Sequence, residues 1–401
     1  MSRILLAWEL GAASGHLAGL RPLVEGLLAR GHQVTLAAQN LRNAARVFAG
    51  LDFPIVPAPR THELYGGLQD PPLNYSEILM RYGYIDAPML AALVRAWRAL
   101  MQLTAADVLV ADHAPTALLA ARGLQNLRCI AFGNSFAVPP DVHPTPNMRR
   151  WLDVPQQRLL NSDTLVLETI NQSLPSSADP LSAVHQLFDR ADRMFVGIPE
   201  LDPYGPRQAG FYLGLYLGIS GKAAANWPAG EGKRIFAYLR ADYTEIDHVL
   251  TALSACGARC LIHMAGASQA LIKRYHSSRL VFSDTPVDIA SAATQCDAAI
   301  CHSGTGTVNA LLQAGKPILL LPAQLEQFLL ARNVDALGAG IVVVPEEVKS
   351  EFGKALQSIL ENPSFSGYAR TLANRYREPS MQAMLDHAIA RIEGRVAEAL
   401  T

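Results

Sequence analysis

Six consecutive residues, His302-Ser303-Gly304-Thr305-Gly306-Thr307, gather four hydrogen-bonding side chains and two glycines. A short apolar run at 297–301 precedes them and reads as a buried parallel strand. Val308, Leu311 and Leu312 then recur at helical spacing until Gly315 and Pro317 stop the helix. A helix starting on such a loop aims its unsatisfied backbone N–H groups and the positive end of its dipole at whatever lies there. Gly304 and Gly306 leave the backbone open to close approach, and the hydroxyls of Ser303, Thr305 and Thr307 add donors. A phosphate is the ligand such a loop suits, although plain strand-to-helix turns use the same residue types. Beyond a second apolar strand at 318–321 comes Pro322, then Glu326 and Gln327, a carboxylate and an amide able to grip sugar hydroxyls.

Two further residues stand where a parallel sheet would present chemistry. His16 closes a small-residue loop, 11–16, after an apolar strand at 4–8 and before a helix whose apolar face is Leu17, Leu20, Leu23, Val24, Leu27 and Leu28. With a strand at 32–37 this makes a βαβ unit, and the loop lies at the carboxyl end of its strand, where open α/β sheets bind ligands. Asp112 ends the apolar run 107–113. Taken alone, His16 reads as a polar residue at a helix start, and Asp112 as a cap for the helix expected over 115–122. His113, next to it, is taken as incidental.

The order of these features resembles family-one, UDP-glycosyltransferase-like enzymes. Their donor motif reads His-Gly-Gly-x-Gly-Thr, a helix, Gly-x-Pro, Pro-x-x-x-Asp/Glu-Gln, then Leu-Gly-x-Gly. Here those positions are residues 302–307, Gly315-Lys316-Pro317, Pro322 to Gln327, and Leu337-Gly338-Ala339-Gly340. The family's opening Gly-His and Arg-Gly-His-x-Val-Thr fall on Gly15-His16 and 30–35. The resemblance implies that His16 is the general base, that Asp112 orients its imidazole and stabilises the imidazolium, and that residues 302–307 with Glu326 and Gln327 hold the nucleotide sugar. It covers nearly the whole chain and is densest at 14–37, 105–112 and 297–340.

Three departures accompany it. The early proline of the first helix is Gly19 here, with Pro22 beyond it. After the first strand of the second half, the usual small-residue phosphate loop is replaced by Tyr238-Leu239-Arg240-Ala241-Asp242, in which Arg240 offers a cationic clamp on a diphosphate or a structural surface arginine. The glutamate that often grips both ribose hydroxyls, eight residues past the motif histidine, is Ala310, which is compatible with a dTDP-sugar as well as a UDP-sugar.

The elements that must carry these residues follow. The 401 residues, half apolar and 17% charged, suit two domains with sizeable cores. The fold class expected is α/β of the GT-B type, two Rossmann-like domains of parallel sheet flanked by helices and facing a central cleft. The expected divisions are 1–215 for the acceptor, 216–375 for the nucleotide sugar, and 376–401 as a last helix, centred on 381–399, returning to the first domain. Residues 38–104 are interrupted by prolines and tyrosines and suit either an acceptor pocket or ordinary loop packing. Residues 147–192 read as mostly helical, a strand is expected at 194–197, and the Pro- and Gly-rich stretch 199–234 reads as the interdomain linker.

A net charge of −1 gives no reason to expect a nucleic-acid partner. The five cysteines lack metal-ligand spacing and read as buried reduced thiols. The N-terminal apolar run is too short for a signal peptide, and no stretch is long enough to span a membrane, so a cytoplasmic protein is expected. The function expected is inverting transfer of a sugar from a UDP- or dTDP-sugar to a hydroxyl of a small molecule. No tightly bound cofactor is expected, and no metal, since no Asp-x-Asp triplet is present. Two other readings share these features: a nucleotide-sugar epimerase or hydrolase, and a non-catalytic sugar-nucleotide-binding partner. Acceptor, sugar, base and oligomeric state are not legible.

Overall fold

A computed structural model describes residues 1–11, 15–61, 63–207, 209–215 and 223–394. Residues 12–14 of the loop before His16, the expected domain boundary at 216 and the end of the expected last helix at 395–399 lie outside the described residues.

The chain divides into two compact units, one of Met1–Pro199, Pro203–Leu213 and Leu385–Thr401, the other of Glu200–Asp202 and Gly214–Met384. In the first unit the strands are β1 (Arg3–Trp8), β2 (Gln33–Ala38), β3 (Ile55–Pro57), β4 (Val108–Asp112), β5 (Arg128–Gly133), β6 (Ala191–Phe195) and β7 (Phe211–Tyr212). They pair in the order β3-β2-β1-β4-β5-β6-β7, and every pairing is parallel. The strands are short and apolar because both faces are covered by helices: all of β4 is buried, as is β1 past Arg3. The register sets Trp8 of β1 opposite Asp112 of β4. This is where successive strands begin to be laid down on the other side of β1, the switch point at which doubly wound sheets open a crevice.

The second unit repeats the plan with β8 (Arg234–Arg240), β9 (Arg259–Ala265), β10 (Leu280–Ser283), β11 (Ala298–Cys301), β12 (Ile318–Leu320) and β13 (Gly340–Val342). The order is β10-β9-β8-β11-β12-β13, again all parallel. Its core joins Ile235, Ala237 and Leu239 of β8 to Val249, Leu250 and Leu253 of one helix and Phe352 and Leu356 of another. The two-Rossmann architecture expected from the sequence is therefore present.

Several elements differ from expectation. The stretch read as linker contains a real edge strand, β7, pairing Phe211 with Met194 and Tyr212 with Phe195. Flanking glycines with positive φ, Gly210 and Gly214, supply the turns that made the segment look unstructured. Residues 147–192 hold one long helix, Gln156–Ser173, a short 3-10 turn, Val184–Phe188, and the first two residues of β6, the rest being loop around Pro155, Pro175 and Pro180. β6 begins three residues before the expected strand at 194, because Ala191 and Asp192 still pair with β5. Of the five cysteines, Cys129 and Cys256 are only partly buried.

The helix Met381–Ile392 starts in the second unit and ends in the first. In the first unit, Arg391 makes a paired contact with Asp192 at 3.0 and 2.5 Å, and Glu393 meets His32 at 2.9 Å. No helix among the described residues is long and apolar enough to cross a membrane.

Candidate active site

At the switch point of the first unit, His16 stands in the first turn of the helix Gly15–Ala29, over the end of β1. Its Nδ1 lies 2.8 Å from Asp112 Oδ1, and both side chains are nearly enclosed, 9% and 3% exposed. A carboxylate at Nδ1 holds the ring in the tautomer that leaves Nε2 able to accept a proton. The residues are 96 apart in sequence and meet only because β1 and β4 are neighbours. The His16 ring stacks on Trp8 at 5.9 Å.

Two glycines clear space around the pair. A Cβ on Gly11 would sit 2.5 Å from His16 Nε2, and one on Gly133 would sit 2.6 Å from Asp112 Oδ1. Both also have φ well into the positive region, +91° and +117°, so glycine is required twice over. Sequence reasoning passed over these two residues; their signal was a glycine next to each candidate strand end.

Behind the pair is a buried polar group that sequence reasoning also missed. His113 follows Asp112 with φ +46°, unusual for a residue with a side chain, and its carbonyl accepts from Leu10 N at 2.9 Å. Burial, and then the proximity of His16, lower its pKa to about 3, so the ring is neutral. Glu9 is buried, with one carboxyl oxygen 3.0 Å from the N–H of Thr116, and desolvation raises its pKa to about 8 against the pull of Thr116, Ala117 and Arg60. Tyr84 is hydrogen-bonded to Thr116 Oγ1 at 2.9 Å. Residues 74–84, within the stretch that gave no clear reading, thus pack against this sheet end.

In the second unit the motif lies at the equivalent switch point, between β8 and β11. Residues 302–304 form the loop and Thr305 opens the helix Thr305–Gln313, with Gly304 at the cap position and no side-chain cap. The first N–H groups of the helix are therefore available to a ligand. Gly304 is exposed, and Thr305, Gly306 and Thr307 are half-buried. A Cβ on Gly304 or Gly306 would meet no protein atom within 4 Å, and Gly304 has an ordinary φ of −70°. Neither conformation nor packing within the unit demands glycine at 304; the space a side chain would fill lies over the helix start.

His302, expected among the donors to a phosphate, has both ring nitrogens engaged within the chain. Its Nδ1 is 2.8 Å from the carbonyl of Leu321, and its Nε2 accepts from the N–H of Arg240 at 3.1 Å. Burial, first, and the Arg240 charge lower its pKa, so the ring is neutral with both nitrogens engaged. It ties the loop after β8 to the loop after β11. Ser303 adopts φ +57° at the place where the family pattern has glycine, and its hydroxyl is buried without a partner among the described residues.

Arg240 holds Asp242 of its own loop through two contacts of 2.9 and 2.5 Å. The pair is exposed, so opening it to reach an anion costs about 1 kcal/mol or less. Gln327 uses its carbonyl oxygen to accept from Ala323 N at 2.9 Å, and Glu326 is half-buried in the first turn of the helix Leu325–Ala336. Ala310, at the position of the missing ribose ligand, is buried.

Comparison with known proteins gives a family-model match over about a third of the chain and a fold for the whole. Residues 248–390 match the family model "Erythromycin biosynthesis protein CIII-like, C-terminal domain". A stretch of 87 residues, 22% of the chain, is 37% identical to a sterol 3-beta-glucosyltransferase of Gibberella zeae, covering 6% of that protein. A stretch of 90 residues is 34% identical to the elloramycin glycosyltransferase ElmGT of Streptomyces olivaceus, covering 22% of each chain. The matched segments thus span less than a quarter of each of these relatives. Among solved structures, the spinosyn rhamnosyltransferase SpnG aligns over 97% of this chain and 100% of its own, with 20% identity and TM-score 0.65. The glycosyltransferase VinC in complex with dTDP aligns over 98% and 100%, with 15% identity and TM-score 0.67. The fold is GT-B, and the resemblance to family-one glycosyltransferases read from residues 297–340 holds.

Proposed function

We propose that the chain is an inverting, UDP- or dTDP-sugar-dependent glycosyltransferase acting on a hydroxyl of a small molecule. The observation that carries it is the enclosed His16–Asp112 pair at 2.8 Å, a general base held in one tautomer at a sheet switch point. In the first unit, His16 Nε2 takes the proton of the acceptor hydroxyl, and Asp112 stabilises the imidazolium. The freed oxygen attacks the anomeric carbon from the face opposite the nucleotide, and the nucleoside diphosphate leaves with the bonding electron pair. In the second unit, the backbone N–H groups at Gly304 to Thr307 and the hydroxyls of Ser303, Thr305 and Thr307 meet the charge that develops on the diphosphate. His302 fixes that loop, while Arg240, Glu326 and Gln327 are assigned to the diphosphate and the sugar hydroxyls. The fold, the family model over 248–390 and the glycosyltransferase names of the relatives support this reading. The dTDP complex of VinC favours a nucleoside diphosphate as the donor's leaving group.

The test pairs binding with turnover. Thermal stabilisation by UDP or dTDP, which follows from binding to the folded state, is expected in the wild type and in His16→Ala alike, while sugar transfer across an acceptor panel is lost only in the variant. Undiminished transfer by His16→Ala removes His16 as base. Absence of stabilisation by every nucleoside diphosphate overturns the donor assignment.

A further inference from the structure

Two of the five cysteines stand on either side of one turn in the second unit. Cys256 caps the C-terminus of the helix Ile246–Ala255, and Cys260 is the second residue of β9. Gly257 between them has φ +73°, the left-handed conformation that commonly ends a helix, and it turns the chain into β9. Both sulfurs then converge on one oxygen. The Leu253 carbonyl lies 3.1 Å from Cys256 Sγ and 3.8 Å from Cys260 Sγ. The two thiols differ in access: Cys256 is half-buried, whereas Cys260 is 0% exposed and belongs to the core of the unit. They also divide the protons. A hydrogen bond from the Cys260 thiol lowers the Cys256 pKa to about 6, and the same bond, with burial, raises that of Cys260. Cys129 is half-buried too, but burial pushes its thiol up to about 11. At neutral pH the reachable sulfur of the pair is a thiolate, the nucleophilic form, and its neighbour keeps a proton.

We infer that Cys256 and Cys260 form a reversible oxidation site, at which a hydroperoxide oxidises the Cys256 sulfur and Cys260 closes a disulfide onto it. In the first step the Cys256 thiolate displaces hydroxide from hydrogen peroxide: an S–O bond forms as the O–O bond breaks, leaving a sulfenic acid. The hydroxide takes up the proton that Cys256 had released and becomes water. In the second step the Cys260 sulfur attacks the Cys256 sulfur; the S–S bond forms, the S–O bond breaks, and hydroxide leaves with the proton that Cys260 gives up. Two thiols and one hydrogen peroxide thus become one disulfide and two waters, the sulfurs being oxidised and the peroxide oxygens reduced. Gly257 leaves room for the turn to tighten, since it is exposed and a Cβ there would meet no protein atom within 4 Å. A resolving thiol this close diverts the sulfenic acid from irreversible oxidation, and exchange with a dithiol restores both cysteines. The pair lies at the amino end of β9, while residues 302–307 follow the carboxyl end of β11 in the same parallel sheet, so this chemistry is independent of the proposed donor site.

The test exposes the full, reduced chain to hydrogen peroxide at neutral pH and follows it by mass spectrometry. Arg259 lies between the two cysteines, so trypsin separates them and the disulfide shows itself as two joined peptides. The intact chain should lose two hydrogens in mass, and a dithiol should restore them. Cys256 should react about tenfold faster than Cys129, or faster still, because only the thiolate attacks peroxide. Cys260→Ser should stop at the sulfenic acid, trapped on Cys256 by dimedone, and Cys256→Ser should leave Cys260 unreacted. Prior oxidation of Cys129, oxygen that stays on Cys256 while Cys260 is present, or absence of the joined peptides overturns the pair. The wild-type peptides decide this even where a serine variant fails to fold. Joined peptides from a chain that binds no nucleoside diphosphate leave the pair standing and remove only the donor assignment.

Discussion

The two switch points occupy the same place in two copies of one topology, yet they are made differently. β4 crosses to the far side of β1 as β11 crosses to the far side of β8. Each crossing strand is followed by a residue that adopts the left-handed region without being glycine, His113 at φ +46° and Ser303 at φ +57°, and each of these has a buried polar side chain with no partner among the described residues. The difference lies in what surrounds them. In the second unit the chemistry is backbone: an uncapped helix start with bare glycines over it. In the first it is side chains, the proposed base and its carboxylate, a neutral histidine and a neutral carboxyl, all buried or nearly so. The proposed function accounts for the contrast: a diphosphate is already charged and needs only donors aimed at it, whereas an acceptor hydroxyl must be relieved of a proton, which takes ionisable groups of controlled tautomer.

The largest effect should come from breaking the first site without changing its shape. Asp112→Asn keeps the volume between Gly133 and His16 but replaces an acceptor that fixes the Nδ1–H tautomer. Turnover should fall on the order of 10²–10⁴-fold, with nucleoside diphosphate affinity unchanged, measured by initial rates beside calorimetric titration of dTDP. A rate loss accompanied by an equal loss of nucleotide affinity would mean that the two switch points are not separable in this way.

The same contrast accounts for what the sequence made legible. The second site is contiguous, because a helix start, its glycines and the strand before it are neighbours in the chain; residues 302–307 could be read as an anion loop from residue types alone. The first site is assembled across 96 residues by strand pairing, and without the family resemblance His16 and Asp112 were a helix-start histidine and a cap. Gly11, Gly133, His113 and Glu9 were beyond reach because their importance depends on what a strand neighbour places beside them. The helix Tyr75–Arg81 lies in a stretch broken by prolines and tyrosines, where no periodicity declared itself. The edge strand β7 was hidden for a related reason: two residues of pairing are too few to outweigh the glycines on either side.

A smaller effect is expected at the second site. Ser303→Gly relaxes a left-handed residue and removes a buried hydroxyl, so the free protein should melt at the same temperature or slightly higher, by the order of 1 kcal/mol in stability. Its dTDP affinity should drop by about tenfold if the hydroxyl donates to the diphosphate. Unchanged affinity would show that the backbone donors alone hold the anion, which would sharpen the contrast between the two sites into a complete one.

The smallest effect on rate, and the one that isolates the ionisable load of the first site, concerns Glu9. Its carboxyl titrates near 8 when folded against an ordinary 4.5, so the folded chain keeps a proton that the unfolded chain releases. The resulting stability is full below about pH 4.5 and is lost as the pH climbs to about 8, at roughly 1.4 kcal/mol per pH unit at most. His113 acts with the opposite sign. Lowered from 6.5 to about 3, it contributes stability that is present above pH 6.5 and lost as the pH falls toward 3. Glu9→Gln retains an oxygen for the N–H of Thr116 and stays neutral throughout. Its stability curve, from denaturant midpoints, should therefore lose the alkaline decline between about pH 4.5 and 8 while keeping the acid decline, with turnover at neutral pH nearly unchanged. Parallel curves for wild type and variant would mean that Glu9 is ionised in the fold.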